Sequence, residues 1–205
     1  GVRPGDKVRV QPSGHVSSVA RIVTHDGDLE EASVGQSITI TLAEELDVSR
    51  GDLIVPADAP AEVADQFEAS IVWMSEAPLF RGRSYLLKIG TRTLTATVNP
   101  LKYRVNVNSL EHVAATRLDL NEIGVCNLEL DRPIAFDAYR VNRDMGGFIL
   151  IDRMTHHTVG AGMLRAALRR AENVHWQAFD VDRRARALQM GQRPCVLWFT
   201  GLSGS

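Results

Sequence analysis

The residues best suited to chemistry stand together in the last stretch of the sequence, Cys195-Val196-Leu197-Trp198-Phe199-Thr200-Gly201-Leu202-Ser203-Gly204-Ser205. The apolar run Val196 to Phe199 reads as a buried strand that opens into a Gly/Ser loop. A phosphate-binding loop requires strand, then G-x-x-x-x-G-K-[ST], then helix. Its successive backbone N–H groups form an anion nest, and its glycines let the chain pass close to the phosphates. Gly201, Leu202, Ser203, Gly204 and Ser205 supply the first five positions of that pattern. The second Gly, the Lys and the Ser/Thr would come after Ser205, so the sequence is expected to be a piece of a longer chain. Without that Lys and Ser/Thr the nest cannot place a γ-phosphate or its magnesium, and no phosphoryl chemistry is expected from these residues alone. The competing reading is a plain flexible tail.

Elsewhere the residue types do not assemble into a reacting group. His156 and His157 are adjacent, so on a strand they face opposite sides and cannot chelate one ion. His15, His25, His112 and His175 lack a second ligand at metal spacing, and no C-x-x-C occurs. No metal site and no catalytic residue is therefore expected. Cys126 and Cys195 lie in strand-like apolar patterns and read as buried free thiols. Glu30-Glu31 and Glu44-Glu45 sit in turns, where only the fold could create an acid/base pair. Trp73 and Met74 read as core or interface residues. A complete phosphate loop and N-K-x-D are absent between Gly1 and Gly201, so this stretch is not expected to hydrolyse GTP.

The elements that must carry these residues can be read from patterning. The 205 residues are 44% hydrophobic and 23% charged, enough apolar material for ordinary cores. Net charge −2 leaves no footprint for general binding to nucleic acid or anionic membrane. No apolar run approaches the roughly 18 residues of a membrane helix. The start, Gly1-Val2-Arg3-Pro4-Gly5-Asp6, resembles no signal peptide, and a cytoplasmic location is expected. Up to about residue 160 the sequence alternates with period two: Val8/Val10, Ile38/Ile40/Leu42, Phe67/Ala69/Ile71/Trp73, Leu94/Ala96/Val98, Tyr103/Val105/Val107 and Cys126/Leu128/Leu130.

Turn signals separate these runs at Gly5-Asp6, Pro12-Ser13-Gly14, Asp26-Gly27-Asp28, Gly51-Asp52, Arg81-Gly82 and Gly146-Gly147. Many short strands with regular turns predict antiparallel barrels. Pro56 to Ala61, with two prolines and small residues, predicts a short connection between two of them. After Gly160-Ala161-Gly162, the residues Leu164, Ala167, Leu168 and Ala171 recur at helical spacing, with Arg165, Arg169 and Arg170 on the other side. Arg183, Arg184 and Arg186 continue the basic character. The arginines read either as a solvated helix face or as an element that meets acidic groups or nucleotide phosphates on a further domain.

A family resemblance sharpens this reading. Trp198 to Ser205 closely resembles the start of adenylylsulfate kinase, whose first strand and loop run W-F-T-G-L-S-G-S and continue G-K-S. Three further stretches resemble the second and third domains of translation-factor GTPases, nearest to the GTPase large subunit of bacterial sulfate adenylyltransferase. They are Gly5 to Gly14 with Leu42 to Ile54, then Phe67 to Met74, then Leu120 to Gly124 with Gly147 to Arg153 and Thr158 to Gly162. Barrel, barrel, linker and kinase start in that order match the bifunctional form fused to the kinase.

The resemblance implies a mainly β chain with two antiparallel barrels of the elongation factor Tu domain 2/3 type, a helical linker and the first strand of a P-loop α/β kinase. The expected boundaries are 1–58 for the C-terminal part of the second-domain barrel, 62–160 for the third-domain barrel, 161–193 for the linker and 194–205 for the kinase start. It also implies ATP and GTP with magnesium in the parent enzyme, none bound to this stretch, and a small catalytic subunit as partner. Gly201 to Ser205 would open the ATP phosphate loop. The alternative is a translation-factor-like barrel pair that binds RNA or protein, which would need a basic strip on the barrels.

Overall fold

The computed structural model describes residues 1–168 of the chain. Two antiparallel sheets succeed one another. The first contains β1 (Lys7–Gln11), β2 (Val16–Thr24), β3 (Gly27–Asp28), β4 (Thr39–Leu42) and β5 (Leu53–Pro56), in the order β3-β2-β1-β5, with β4 also paired to β2. Gly14 and Gly27 hold positive φ at the two hairpins, which is why the sequence spends glycine there. Val8, Val19, Ile22 and Ala32 form a small buried core, with Leu29, Ile38, Ile40 and Leu42 packed on it. Among the described residues this sheet stays open, with β5 paired to β1 alone. The strand β2 escapes a simple period-two reading because its register shifts between Val19 and Arg21, leaving Ala20 and Arg21 both exposed.

The second sheet closes. It is built from β6 (Glu62–Trp73), β8 (Ser84–Ile89), β9 (Arg92–Val105), β12 (Ile123–Phe136), β13 (Gly147–Ile151) and β14 (Thr158–Ala167). Their order β9-β12-β6-β14-β13-β8 returns to β9 through a β8–β9 pairing, giving a closed barrel of six strands. Closure removes the free edges that an open sheet would present. The short β10 (His112–Val113) extends β9, and β7 (Leu79–Phe80) pairs with β11 (Arg117–Leu118). A single turn, α1 (Arg143–Gly146), is capped by the Asn142 side chain and leads into β13.

Alternation places Phe67, Ala69, Ile71 and Trp73 of β6 inside, facing Tyr85, Leu87, Leu94, Ala96, Leu128, Phe148 and Leu150 in one cluster. Phe67 meets Phe136 edge to face at 4.8 Å, and Trp73 meets Tyr85 at 5.5 Å. Burying each such side chain contributes about 1.5–3 kcal/mol, so this barrel holds most of the hydrophobic stabilisation. The segment 57–61 runs from β5 to β6 and so joins the two sheets.

Two expectations change. Leu164 and Ala167 lie on β14, which runs to Ala167 instead of turning helical at 161. Their helical spacing is local; the β6 backbone supplies partners that override it, pairing Leu164 with Ala69 and Ala167 with Phe67. The remainder of the expected linker, with Arg169, Arg170, Arg183, Arg184 and Arg186, lies outside the described residues. Val107 is not on a strand: β9 ends at Val105, where the Asn106 side chain accepts the N–H of Asn108 and the chain turns. Val107 is left exposed by that turn.

Candidate functional site at one end of the closed barrel

At one end of the barrel, β6 finishes with Trp73 inside and Met74 outside. The Trp73 indole Nε1–H donates to the Ala77 carbonyl at 2.8 Å, so the ring is fully buried with its polar atom satisfied. Trp73 is thus a core residue. Met74 is 43% exposed, and Met154 across the opening is 87% exposed. Between them lies a cleft of about 420 Å³ that also takes in Arg83, Tyr85, Asp152 and His157.

Its polar floor is organised by the loop after β13. The Asp152 carboxylate accepts the backbone N–H groups of Thr155 and Met154, each at 2.9 Å, and the Arg83 guanidinium at 2.9 Å. Those backbone hydrogen bonds, then the arginine charge, hold its carboxyl below the usual range. The Arg83 guanidinium carbon lies 5.4 Å from the centre of the Tyr85 ring. The Tyr85 hydroxyl is buried and makes no protein hydrogen bond, and burial raises its pKa. The Thr155 hydroxyl also donates to the Asp152 carboxylate, at 3.2 Å. A paired arginine, an orphan hydroxyl and two exposed thioethers suit recognition of another surface.

The second feature lies between the sheets. Gly5-Asp6 and Gly51-Asp52 form the same turn: each glycine has φ of +93°, and each aspartate accepts the N–H three residues back at 2.8 Å. The two aspartates differ in their surroundings. Asp6 stays exposed, whereas Asp52 pairs with Arg92 at the start of β9, both largely buried. Gln11 completes the junction, its amide donating to the Ala61 carbonyl at 2.7 Å and accepting the Ala61 N–H at 2.9 Å.

Gly201, Leu202, Ser203, Gly204, Ser205 and Cys195 lie outside the described residues. Cys126 is buried in the barrel core and its thiol is pushed up to about 12 by desolvation, so it packs and does not react. Among the described residues no group of three or more His, Cys, Asp or Glu side chains could hold a metal ion. Arg83 and Asp152 went unread in the sequence because they are 69 residues apart, and only barrel closure through β8 and β13 joins them. Arg165, read with the basic face, instead bonds the Tyr103 hydroxyl at 3.0 Å and pairs with Glu68 at 3.3 Å.

Residues 66–165 match the family model for GTP-eEF1A C-terminal domain-like sequences. The bifunctional enzyme NodQ of a Rhizobium species is 54% identical over 204 residues, covering all of this chain and 32% of that protein. The bifunctional enzyme CysN/CysC of Xylella fastidiosa is 53% identical over 204 residues, again covering 100% of the chain and 33% of the relative. The similarity to these bifunctional enzymes runs along the whole length of the chain. Sulfate adenylyltransferase subunit 1 of Aeromonas hydrophila is 47% identical over 182 residues, 88% of the chain and 38% of the relative. The chain therefore spans about a third of the length of the curated relatives it matches. A crystal structure of sup35 complexed with GMPPNP superposes with a TM-score of 0.73 at 18% identity, covering 82% of this chain and 42% of that one. That likeness shows the translation-factor barrel fold.

Proposed function

We propose that this chain is the barrel region of a bifunctional sulfate-activating enzyme. The parent, with a separate small catalytic subunit, forms adenylylsulfate and pyrophosphate from ATP and sulfate, coupled to GTP hydrolysis on a GTPase domain. A fused kinase then phosphorylates adenylylsulfate with ATP to phosphoadenylylsulfate. Gly201 to Ser205 open the ATP phosphate loop of that kinase, whose Lys and Ser/Thr would come next and position the phosphates and magnesium. The observation that carries this reading is coverage. The match to the bifunctional relatives takes in 100% of the chain, whereas the match to a subunit 1 takes in 88%. That wider coverage supports the fused form.

Within the parent the barrels relay the GTPase state and hold the small subunit. The cleft flanked by Met74 and Met154 is the docking surface, because it combines exposed apolar side chains with a fixed Arg83–Asp152 pair and an unsatisfied Tyr85 hydroxyl. The test is a pair of assays on the full-length protein with its small subunit: GTP-stimulated adenylylsulfate synthesis, and ATP-dependent phosphorylation of adenylylsulfate. Both are expected. Met154→Asp should weaken subunit association while leaving the kinase step intact. Absence of both activities, with salt-sensitive retention on immobilised RNA, would return the chain to the binding-module class.

A further inference from the structure

The Arg50-Gly51-Asp52 turn does more than hold the sheets together. It faces the β8–β9 hairpin and the bulge of β12, where the register slips between Glu129 and Ile134 and exposes Asp131, Arg132 and Pro133. Ser49, Arg50, Thr91, Arg92, Thr93 and Arg132 line an open cleft of about 400 Å³ between the sheets. Three of its lining residues are arginines, and Asp52 is its one carboxylate. That concentration of positive charge stands out on a chain whose net charge is −2.

The three guanidinium groups are not equivalent. Arg92 is fixed by Asp52 and packs over Gly51, whose missing side chain makes room for it. Arg50 is exposed and has no ion-pair partner among the described residues. Arg132 lies 3.8 Å from its chain neighbour Asp131, an exposed pair that neutralises it weakly. Like charges around one cavity repel, and a bound anion relieves that repulsion. Guanidinium forks match the oxygens of a tetrahedral oxyanion, and the hydroxyls of Ser49, Thr91 and Thr93 are further donors.

We infer that this cleft binds a small phosphate- or sulfate-type oxyanion, free or as the terminal group of a larger molecule. Neither a carboxylate–base pair nor a metal cluster accompanies it among the described residues, so it is a binding site without chemistry of its own.

The test is titration of the 205-residue chain with inorganic pyrophosphate, inorganic sulfate and adenosine 5′-monophosphate at constant ionic strength, read by calorimetry and by amide chemical shifts. Saturable binding is expected, with shifts clustered at residues 49–52, 91–93 and 131–133. Arg50→Gln with Arg132→Gln should weaken it by roughly tenfold or more, as the loss of two charge-assisted contacts requires. Tighter binding of the mononucleotide than of pyrophosphate would identify a larger molecule as the source; the reverse would identify the free anion. The inference is overturned by shifts that do not saturate, by shifts centred elsewhere, or by a double variant that binds as the wild type does. It is equally overturned if a duplex RNA binds this cleft while none of the three small anions does. The shift map needs no substitution, so it stands even if the double variant fails to fold.

Discussion

At the scale of single residues, Asp152 shows how one side chain organises a loop. It takes two backbone N–H groups, the Thr155 hydroxyl and Arg83, and each of these partners favours its charged form. Its folded-state pKa is therefore depressed. The stability it contributes is present above the unfolded-state value of about 3.9 and is lost as pH falls through the folded-state value. Urea denaturation of the chain should accordingly show a steeper loss of stability below about pH 4 than the Asp152→Asn variant shows. Equal acid-side slopes would mean that the carboxylate titrates alike in both states. Arg83 and Asp152 are individually ordinary in the sequence. What made them a site was their meeting, which no local pattern encodes.

At the scale of elements, β14 is the instructive case. Its first half contains glycines at 160 and 162 because the strand passes close under large rings. A methyl group at 162 would overlap the Phe148 ring, and one at 160 would press on Trp73 at 3.2 Å. Since Phe148 is itself held in the core, Gly162→Ala should destabilise the barrel by about 1–3 kcal/mol, measurable as a lower midpoint in denaturant with unchanged slope. An unshifted midpoint would show that the ring can move aside at no cost. Trp73, Ile71 and Phe67 were legible as a strand because β6 alternates without interruption from Phe67 to Trp73. The second half of β14 was not, since Leu164 and Ala167 fit a helical stripe equally well until pairing with β6 claims their backbone.

At the scale of the whole molecule, the described residues form an open sheet joined to a closed barrel by a short connection. That joint is reinforced by the Gln11–Ala61 hydrogen bonds and the Asp52–Arg92 pair. The first sheet has only a small core, so its stability must draw on the barrel through these contacts. Gln11→Ala combined with Asp52→Ala should cost about 2–4 kcal/mol, chiefly from the uncompensated Arg92. Calorimetry should then resolve two unfolding transitions where a single one is expected of the native chain; a single, merely shifted transition of the variant would show that the sheets are coupled by other means.

The sequence by itself determined the strand-rich class and the turns. These depend on period-two alternation and on glycine and proline, which act over a few residues. It also carried the family likeness. The tertiary structure alone decided the barrel's closure through β8 and β9, the burial of Trp73 beside exposed Met74, the Arg83–Asp152 cleft and the arginine cleft at the joint. Each of those joins residues far apart in the chain, and such contacts are stabilised by the packing of the whole fold, which local patterning does not specify.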